Sequence, residues 1–230
     1  MNNHRPRIGI TTSYQDERQS VDIHYIRAVE AANGLPLIVP MLDTDDAAAD
    51  FASLLDGLII TGGPGLTRGL IGRLPDDLEP VEPLRDRSDT LIYNHMGSRP
   101  VLGICYGMQF INAQAGGTIC GDIHIERPGS IVHSAARGGQ GHLLHLNPGC
   151  HLARTLAADV ISVNSYHVQA VIDVGLGLEA VGFSPDGVVE VIESPDGRRI
   201  GVQFHPERML DRTLPLFVDF VNRCRSSGAH

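Results

Sequence analysis

The stretch Pro100-Val101-Leu102-Gly103-Ile104-Cys105-Tyr106-Gly107-Met108-Gln109 leaves this chain few ways to fold. An apolar strand runs into a Gly-x-Cys-x-Gly turn and then directly into a helix. Gly103 and Gly107 suit a turn in which neighbouring backbone comes too close for a Cβ. A cysteine at the apex, with unpaired N–H groups and the positive end of a helix aimed at its sulfur, has the setting of an activated nucleophile. The same residues also describe a packing cysteine at a strand end, because free cysteine is among the most buried residue types. The elbow alone leaves both readings open.

Its surroundings read as an α/β chain. Arg7–Thr12, Leu35–Pro40 and Asp56–Thr61 are short apolar strands. Between them lie a helix from Asp22, closed by Asn33-Gly34, and an Asp- and Ala-rich helix ending near Leu55. Near-continuous apolar strands separated by helices predict a parallel sheet covered on both faces, in three layers. Beyond Gly116-Gly117 the texture changes. Strands at 142–146, 160–164, 178–183, 188–193 and 199–204 are punctuated by Ser184-Pro185-Asp186-Gly187 and Ser194-Pro195-Asp196-Gly197, which read as reverse turns. That part is expected to be partly antiparallel, and the chain closes on an amphipathic helix carrying Leu214, Phe217, Val218 and Val221. Nothing reads as a linker, so residues 1–230 are expected to form one domain.

Composition excludes several function classes. The formal charge of −9 is spread without long blocks and argues against nucleic-acid or anionic-membrane partners. No apolar run approaches the roughly 20 residues of a membrane span, and a soluble, cytoplasmic protein is expected. All 18 basic residues are arginine, which removes lysine-based Schiff-base or P-loop chemistry. Four cysteines without a Cys-x-x-Cys suggest neither a disulfide framework nor a zinc ribbon. His142, His145 and His151 are numerous enough for a metal site, but residues 142 and 145 point to opposite faces of a strand. No metal or organic cofactor is expected.

A cysteine nucleophile needs a base, and the base needs a third group to orient it. His205 ends a predicted strand, at the sheet edge where ligands bind and where Cys105 also lies. Glu207 follows after Pro206, within reach of the distal imidazole nitrogen. A lone histidine at a strand end is more often satisfied by backbone, but the pairing with Cys105 and Glu207 points to a triad.

Gly-Ile-Cys-Tyr-Gly-Met-Gln, followed about a hundred residues later by Gly-Val-Gln-Phe-His-Pro-Glu, resembles the class I glutamine amidotransferases. Further likeness lies in Thr61-Gly62-Gly63-Pro64, Arg85-Asp86, Val163-Asn164-Ser165-Tyr166-His167 and Pro185-Asp186-Gly187-Val188-Val189-Glu190. Within that superfamily the chain is most similar to stand-alone γ-glutamyl hydrolases of the γ-glutamyl-γ-aminobutyrate hydrolase type.

The resemblance implies a flavodoxin-like sheet and hydrolysis of a γ-glutamyl amide through a thioester on Cys105, with His205 and Glu207 completing the triad. It implies oxyanion contacts from the Gly62-Gly63 loop and the Tyr106 N–H, a glutamyl contact from Gln109, and a pocket wall at Tyr166 and His167. The implied partner is a small γ-glutamyl substrate, with a homodimer among the assemblies open to it.

Three departures from the hydrolase pattern fall near the expected pocket mouth. Gly63-Pro64-Gly65-Leu66 replaces an aspartate-containing loop, Tyr106 stands in place of an arginine, and Val168 in place of a second histidine. They bear on the leaving-group side. The alternative is a glutaminase subunit feeding ammonia to a separate synthase; a ligand-binding protein that has kept only the fold is a third class.

Overall fold

The computed structural model describes residues 5–227. In chain order the elements are β1 (Arg7–Ile10), β2 (Ser13–Gln15), β3 (Arg18–Ser20), α1 (Ile23–Ala31), β4 (Leu35–Ile38), α2 (Asp45–Ser53), β5 (Gly57–Ile60), β6 (Leu70–Ile71), α3 (Pro83–Asn94), β7 (Val101–Ile104) and α4 (Tyr106–Gln114). They continue with β8 (Ile119–Cys120), α5 (Ile123–Glu126), β9 (His142–Leu146), α6 (His151–Leu156), β10 (Val160–Val163), β11 (Ala170–Val171), β12 (Glu179–Phe183), β13 (Val189–Glu193), β14 (Arg199–Val202) and α7 (Leu210–Ser227). The chain divides into two compact units, Met1–Thr61 with Glu82–Leu102 and Glu207–His230, and Gly62–Val81 with Gly103–Pro206.

The first unit is the expected parallel sheet. β1 pairs in parallel with β4 on one side and β5 on the other, and β7 enters beside β5. All four residues of β5 are buried, as are three of four in β1, which is why these strands lack a polar alternation. The Arg7 side chain donates to both Asp56 oxygens at 3.2 Å and its backbone N–H to Oδ2 at 2.7 Å, tying the starts of β1 and β5. α1 starts at Asp22, whose carboxylate accepts from the His24 N–H, and α2 starts at Thr44, whose hydroxyl accepts from the Ala47 N–H. The expected stop after α1 falls on Asn33 itself, at φ 63°.

Arg85 of α3 is fully buried. It donates to Asp89 one turn on at 3.3 Å, to Ser13 Oγ at 3.0 Å, and to Thr61 O and Oγ1 at 3.3 Å each. A charge with no solvent is tolerable only when so fully matched. Its fork holds Thr61, the last residue before the Gly62-Gly63 loop.

The second unit contains the antiparallel strands. β9 pairs with β10 and β12, β12 with β13, and β13 with β14, all antiparallel. α4 packs on β14. Both Ser-Pro-Asp-Gly sequences form the expected turns, with Gly187 and Gly197 at positive φ.

Two features carry no strong sequence signal. β6, β8 and β11 are two-residue strands that pair in series. The β2–β3 hairpin turns through Asp16 and Glu17, both at positive φ, without the Asn-Gly or Asp-Gly that usually marks such a turn. Among the described residues no helix is long and apolar enough to cross a membrane.

Gly57 makes the packing of the first unit testable. A Cβ there would lie 2.2 Å from Cys224 Sγ, on the fully buried face of α7. Gly57→Ala should therefore destabilise the protein by about 1–3 kcal/mol, read as a drop in Tm. In a Cys224→Ala background the same change should cost less; an equal cost in both backgrounds would place the strain elsewhere.

Candidate active site

The elbow has the geometry its glycines require. All four residues of β7 are buried, and the chain leaves it through Cys105 at φ 53°, ψ −105°. A side chain at positive φ is strained, and such strain persists only where neighbouring structure fixes it. Here the Cys105 N–H donates to Val202 O at 2.8 Å, and the Gln109 N–H donates to Cys105 O at 3.2 Å. A Cβ on Gly103 would lie 2.4 Å from Gly107 O and 2.7 Å from Ile111 Cδ1. Strand and helix thus approach at a distance only glycine allows, and Cys105 becomes the N-cap of the nine-residue α4.

Cys105 opens onto a small cavity of about 50 Å³. Gly63, Tyr106, Gln109, Tyr166 and His167, all singled out from sequence, line it with the cysteine, whereas Gly62 is not among its lining residues. The three departures converge here too, as Pro64, Gly65, Tyr106 and Val168. The Gly65 loop is held by Gly65 N–H to Glu79 O at 2.7 Å and Val81 N–H to Gly65 O at 2.8 Å. Gln169 fastens it again, accepting from Leu66 N–H at 2.7 Å and donating to Leu66 O at 2.9 Å.

His205 is positioned from two sides. Its N–H donates to Asn164 Oδ1 at 2.8 Å, and Asn164 Nδ2 donates back to His205 O at 2.9 Å. Its ring meets the Tyr166 ring edge-on, 5.5 Å between centroids. Tyr166 is thus a wall of the cavity and a packing surface for the histidine. Glu207 lies in the short turn Pro206–Arg208 and is buried, with the Arg208 guanidinium 3.6 Å from its Oε1.

Several residues at the site were not singled out from sequence. Gln203, fully buried, donates to Cys105 Sγ at 3.4 Å. Gln109 donates to Gln203 Oε1 and to Gln169 O, each at 3.1 Å, so both its amide hydrogens are committed inside the protein. Any contact from Gln109 to a ligand therefore falls to its oxygen. The available signal was the position of Gln203, two residues before His205 on the same strand motif.

A second group not anticipated is a buried cluster of His133, His142, His167 and Glu190. The burial pattern of β9 puts His142 inside and His145 outside, as strand alternation requires. His142 meets two histidines from distant loops, not His145 or His151. Burial pushes the Glu190 carboxyl up, but the facing His167 and His142 imidazoles outweigh it and hold it at about 2. Burial lowers His133, while at His142 the same burial is outweighed by Glu190, which raises it.

The other cysteines are in quieter settings. Burial pushes the Cys120 thiol up to about 11 and raises Cys150 and Cys224 as well. Cys150 borders a larger hollow of about 390 Å³, but its sulfur accepts from the Ala153 N–H at 3.3 Å as the cap of α6.

Comparison with known proteins fits this geometry. Residues 5–207 match the family described as Peptidase C26. The chain is 32% identical to "Putative glutamine amidotransferase PB2B2.05" of Schizosaccharomyces pombe, across 96% of this chain and 87% of that one. It is 33% identical to "Putative glutamine amidotransferase Rv2859c" of Mycobacterium tuberculosis, across 95% of this chain and 74% of that one. The crystal structure of a "putative gmp synthase subunit a protein" from Thermoplasma acidophilum superposes with a TM-score of 0.69 at 18% identity, covering 98% of this chain and 96% of that one. That likeness establishes the flavodoxin-like α/β fold. With a family match along most of its length and relatives a third identical beyond it, the chain belongs to the peptidase C26 family of class I glutamine amidotransferase-like proteins.

Proposed function

We propose that this chain is a cysteine hydrolase that cleaves the γ-glutamyl amide bond of a small molecule, releasing glutamate and an amine. The observation that carries the reading is the Cys105 elbow, a strained apex at a helix N-terminus with its cysteine on a cavity wall. The Cys105 thiolate attacks the γ-carbonyl carbon, and the oxygen takes up negative charge. Backbone N–H groups of Tyr106 and the Gly63 loop stabilise that oxyanion, ordinarily the largest single electrostatic contribution in acyl transfer. His205 gives its proton to the departing amine, leaving a γ-glutamyl thioester. The same imidazole then takes a proton from water, which attacks the thioester and frees glutamate. Glu207 orients the imidazole and balances its charge while it is protonated.

Three features support this assignment of roles. Reciprocal Asn164 hydrogen bonds hold the His205 backbone, the Tyr166 ring sets its imidazole edge-on, and Gln203 fixes the sulfur. Val168 and the Pro64-Gly65 loop shape the side facing the leaving amine, and their lack of charge favours an amine without a carboxylate. Four free cysteines suit a reducing compartment, and we assign the protein to the cytoplasm.

Incubation with glutamine and a panel of γ-glutamyl amines, with glutamate release measured, tests the reading. Substituted amides should be preferred over glutamine. Cys105→Ala and His205→Ala should each lower kcat/KM by at least about 10⁴-fold, and Glu207→Gln by about 10²–10⁴-fold. Weak release from glutamine alone would instead favour an ammonia-supplying subunit, and no release from any compound would sink the hydrolase reading. Thiol labelling gives an independent check. Iodoacetamide at neutral pH should modify Cys105 ahead of Cys120, Cys150 and Cys224, as mapped by peptide mass spectrometry. Faster labelling of any of the other three would contradict the assignment of the nucleophile.

A further inference from the structure

His133, His142, His167 and Glu190 come from four separate segments, yet their donor atoms all lie within 4.8 Å of one another. All four residues are buried, from 0% exposed for Glu190 to 8% for His142. One oxygen, Glu190 Oε1, faces all three rings, at 3.5 Å from His133 Nδ1, 3.4 Å from His142 Nε2 and 3.3 Å from His167 Nε2.

The outward nitrogens settle how these rings are oriented. His142 Nδ1 lies 3.0 Å from Leu143 O, and His167 Nδ1 lies 2.9 Å from Gln169 O. A carbonyl can only accept, so each Nδ1 carries the hydrogen. His133 Nε2 lies 3.1 Å from Asp186 Oδ2, again an acceptor. Neutral His142 and His167 therefore each turn an Nε2 lone pair inward, toward the carboxylate, and His133 turns its Nδ1 the same way, 3.4 Å from Ser165 Oγ, whose hydroxyl donates to His133 O. An outward nitrogen donating to a carbonyl or carboxylate is the arrangement found behind metal-ligating histidines. Inside the cluster, His142 Nε2, His167 Nε2 and both Glu190 oxygens make no hydrogen bond.

Distance separates a metal from protons as the cluster's holder. Imidazolium donating to carboxylate closes to about 2.7–2.9 Å. All three contacts here are longer, and none has hydrogen-bond geometry. Tetrahedral zinc, with bonds of about 2.0–2.1 Å, instead sets neighbouring ligand atoms about 3.3–3.5 Å apart. The three spacings from Glu190 Oε1 match that edge, and the nitrogens, all within 4.8 Å of one another, need only draw inward to complete the tetrahedron. Three neutral imidazoles and one carboxylate, with Asp186 behind His133, also supply the two negative charges that balance a divalent ion.

We propose that His133, His142, His167 and Glu190 bind one Zn²⁺ in a closed, four-ligand site. Four protein ligands leave no open position, so the ion has a structural role and anchors His167, which also lines the cavity beside Cys105. A separate cavity of about 90 Å³ is bordered by two of the four, His133 and His167, together with Arg137. The proposal stands apart from the catalytic reading, because none of the four residues is required to react.

The test is metal uptake by the full chain, stripped with a chelator and titrated with Zn²⁺ against a chromophoric competitor. One equivalent should bind per chain and raise Tm. Co²⁺ in its place should give visible bands of a tetrahedral ion without thiolate-to-cobalt charge transfer. His142→Ala and Glu190→Gln should weaken binding by at least about tenfold, and Asp186→Asn, which leaves every ligand in place, by about 10–100-fold. Cys105→Ala should retain full affinity. Should His142→Ala fail to fold by circular dichroism, Asp186→Asn decides. No stoichiometric uptake, equal affinity in wild type and Asp186→Asn, or loss of binding in Cys105→Ala would overturn the proposal and leave the cluster as a proton-held network.

Discussion

The contact between Gly103 and Gly107 governs the elbow. With a Cβ on Gly103 the first turn of α4 could not sit against β7, because that atom would be 2.4 Å from the Gly107 carbonyl oxygen. Because the approach is so close, one residue must reverse the chain, and Cys105 does so at positive φ. Such a conformation costs on the order of 1–3 kcal/mol for a residue with a side chain. Burial of β7 and most of α4 offsets it, as does the hydrogen bond from the Cys105 N–H to β14. The strain has a geometric result. It turns the cysteine out of the buried strand and onto a cavity wall while its backbone stays anchored.

Around that apex the second unit relies on buried side-chain amides. Gln109, Gln203 and Gln169 are each at most 3% exposed, and Asn164 clamps the His205 backbone. A primary amide offers two donors and an acceptor pair in one plane, so it can join backbone groups at a fixed angle without a desolvated charge. The sulfur thus has a neutral donor in Gln203, and the loop bearing Pro64 and Gly65 is pinned by a neutral pair with Gln169.

Sequence periodicity located the longer strands of both units to within a few residues, because burial on one or both faces writes itself into the spacing of apolar side chains. The elbow was legible for a different reason: its glycines are dictated by local geometry, and local geometry falls inside a ten-residue window. The β2–β3 hairpin was not legible, since Asp16 and Glu17 adopt positive φ without the glycine that normally announces it. Nor was the histidine cluster. Alternation correctly separated His142 from His145, yet it could not bring His142 to His133, His167 and Glu190. Those meetings depend on how β9, β13 and two loops fold over one another, and no spacing along the chain encodes them. Gln203 lay in a recognised motif, but its role follows from a contact 98 residues away in sequence.

Glu190 ties these observations together. A carboxylate with no solvent contact, between Val189 and Val191 on a buried strand, costs several kcal/mol unless positive charge accompanies it. Whatever supplies that charge must sit among the three imidazoles. Its effect does not stop there, because His167 Nδ1 is held by Gln169 O, which also accepts from Gln109. Gln109 in turn donates to Gln203, and Gln203 donates to Cys105 Sγ. One continuous line of contacts therefore runs from the buried carboxylate to the sulfur. The orientation of the sulfur at the elbow is thus set from two directions: by the backbone through Gly103, and by the side chains through a cluster on the far side of His167.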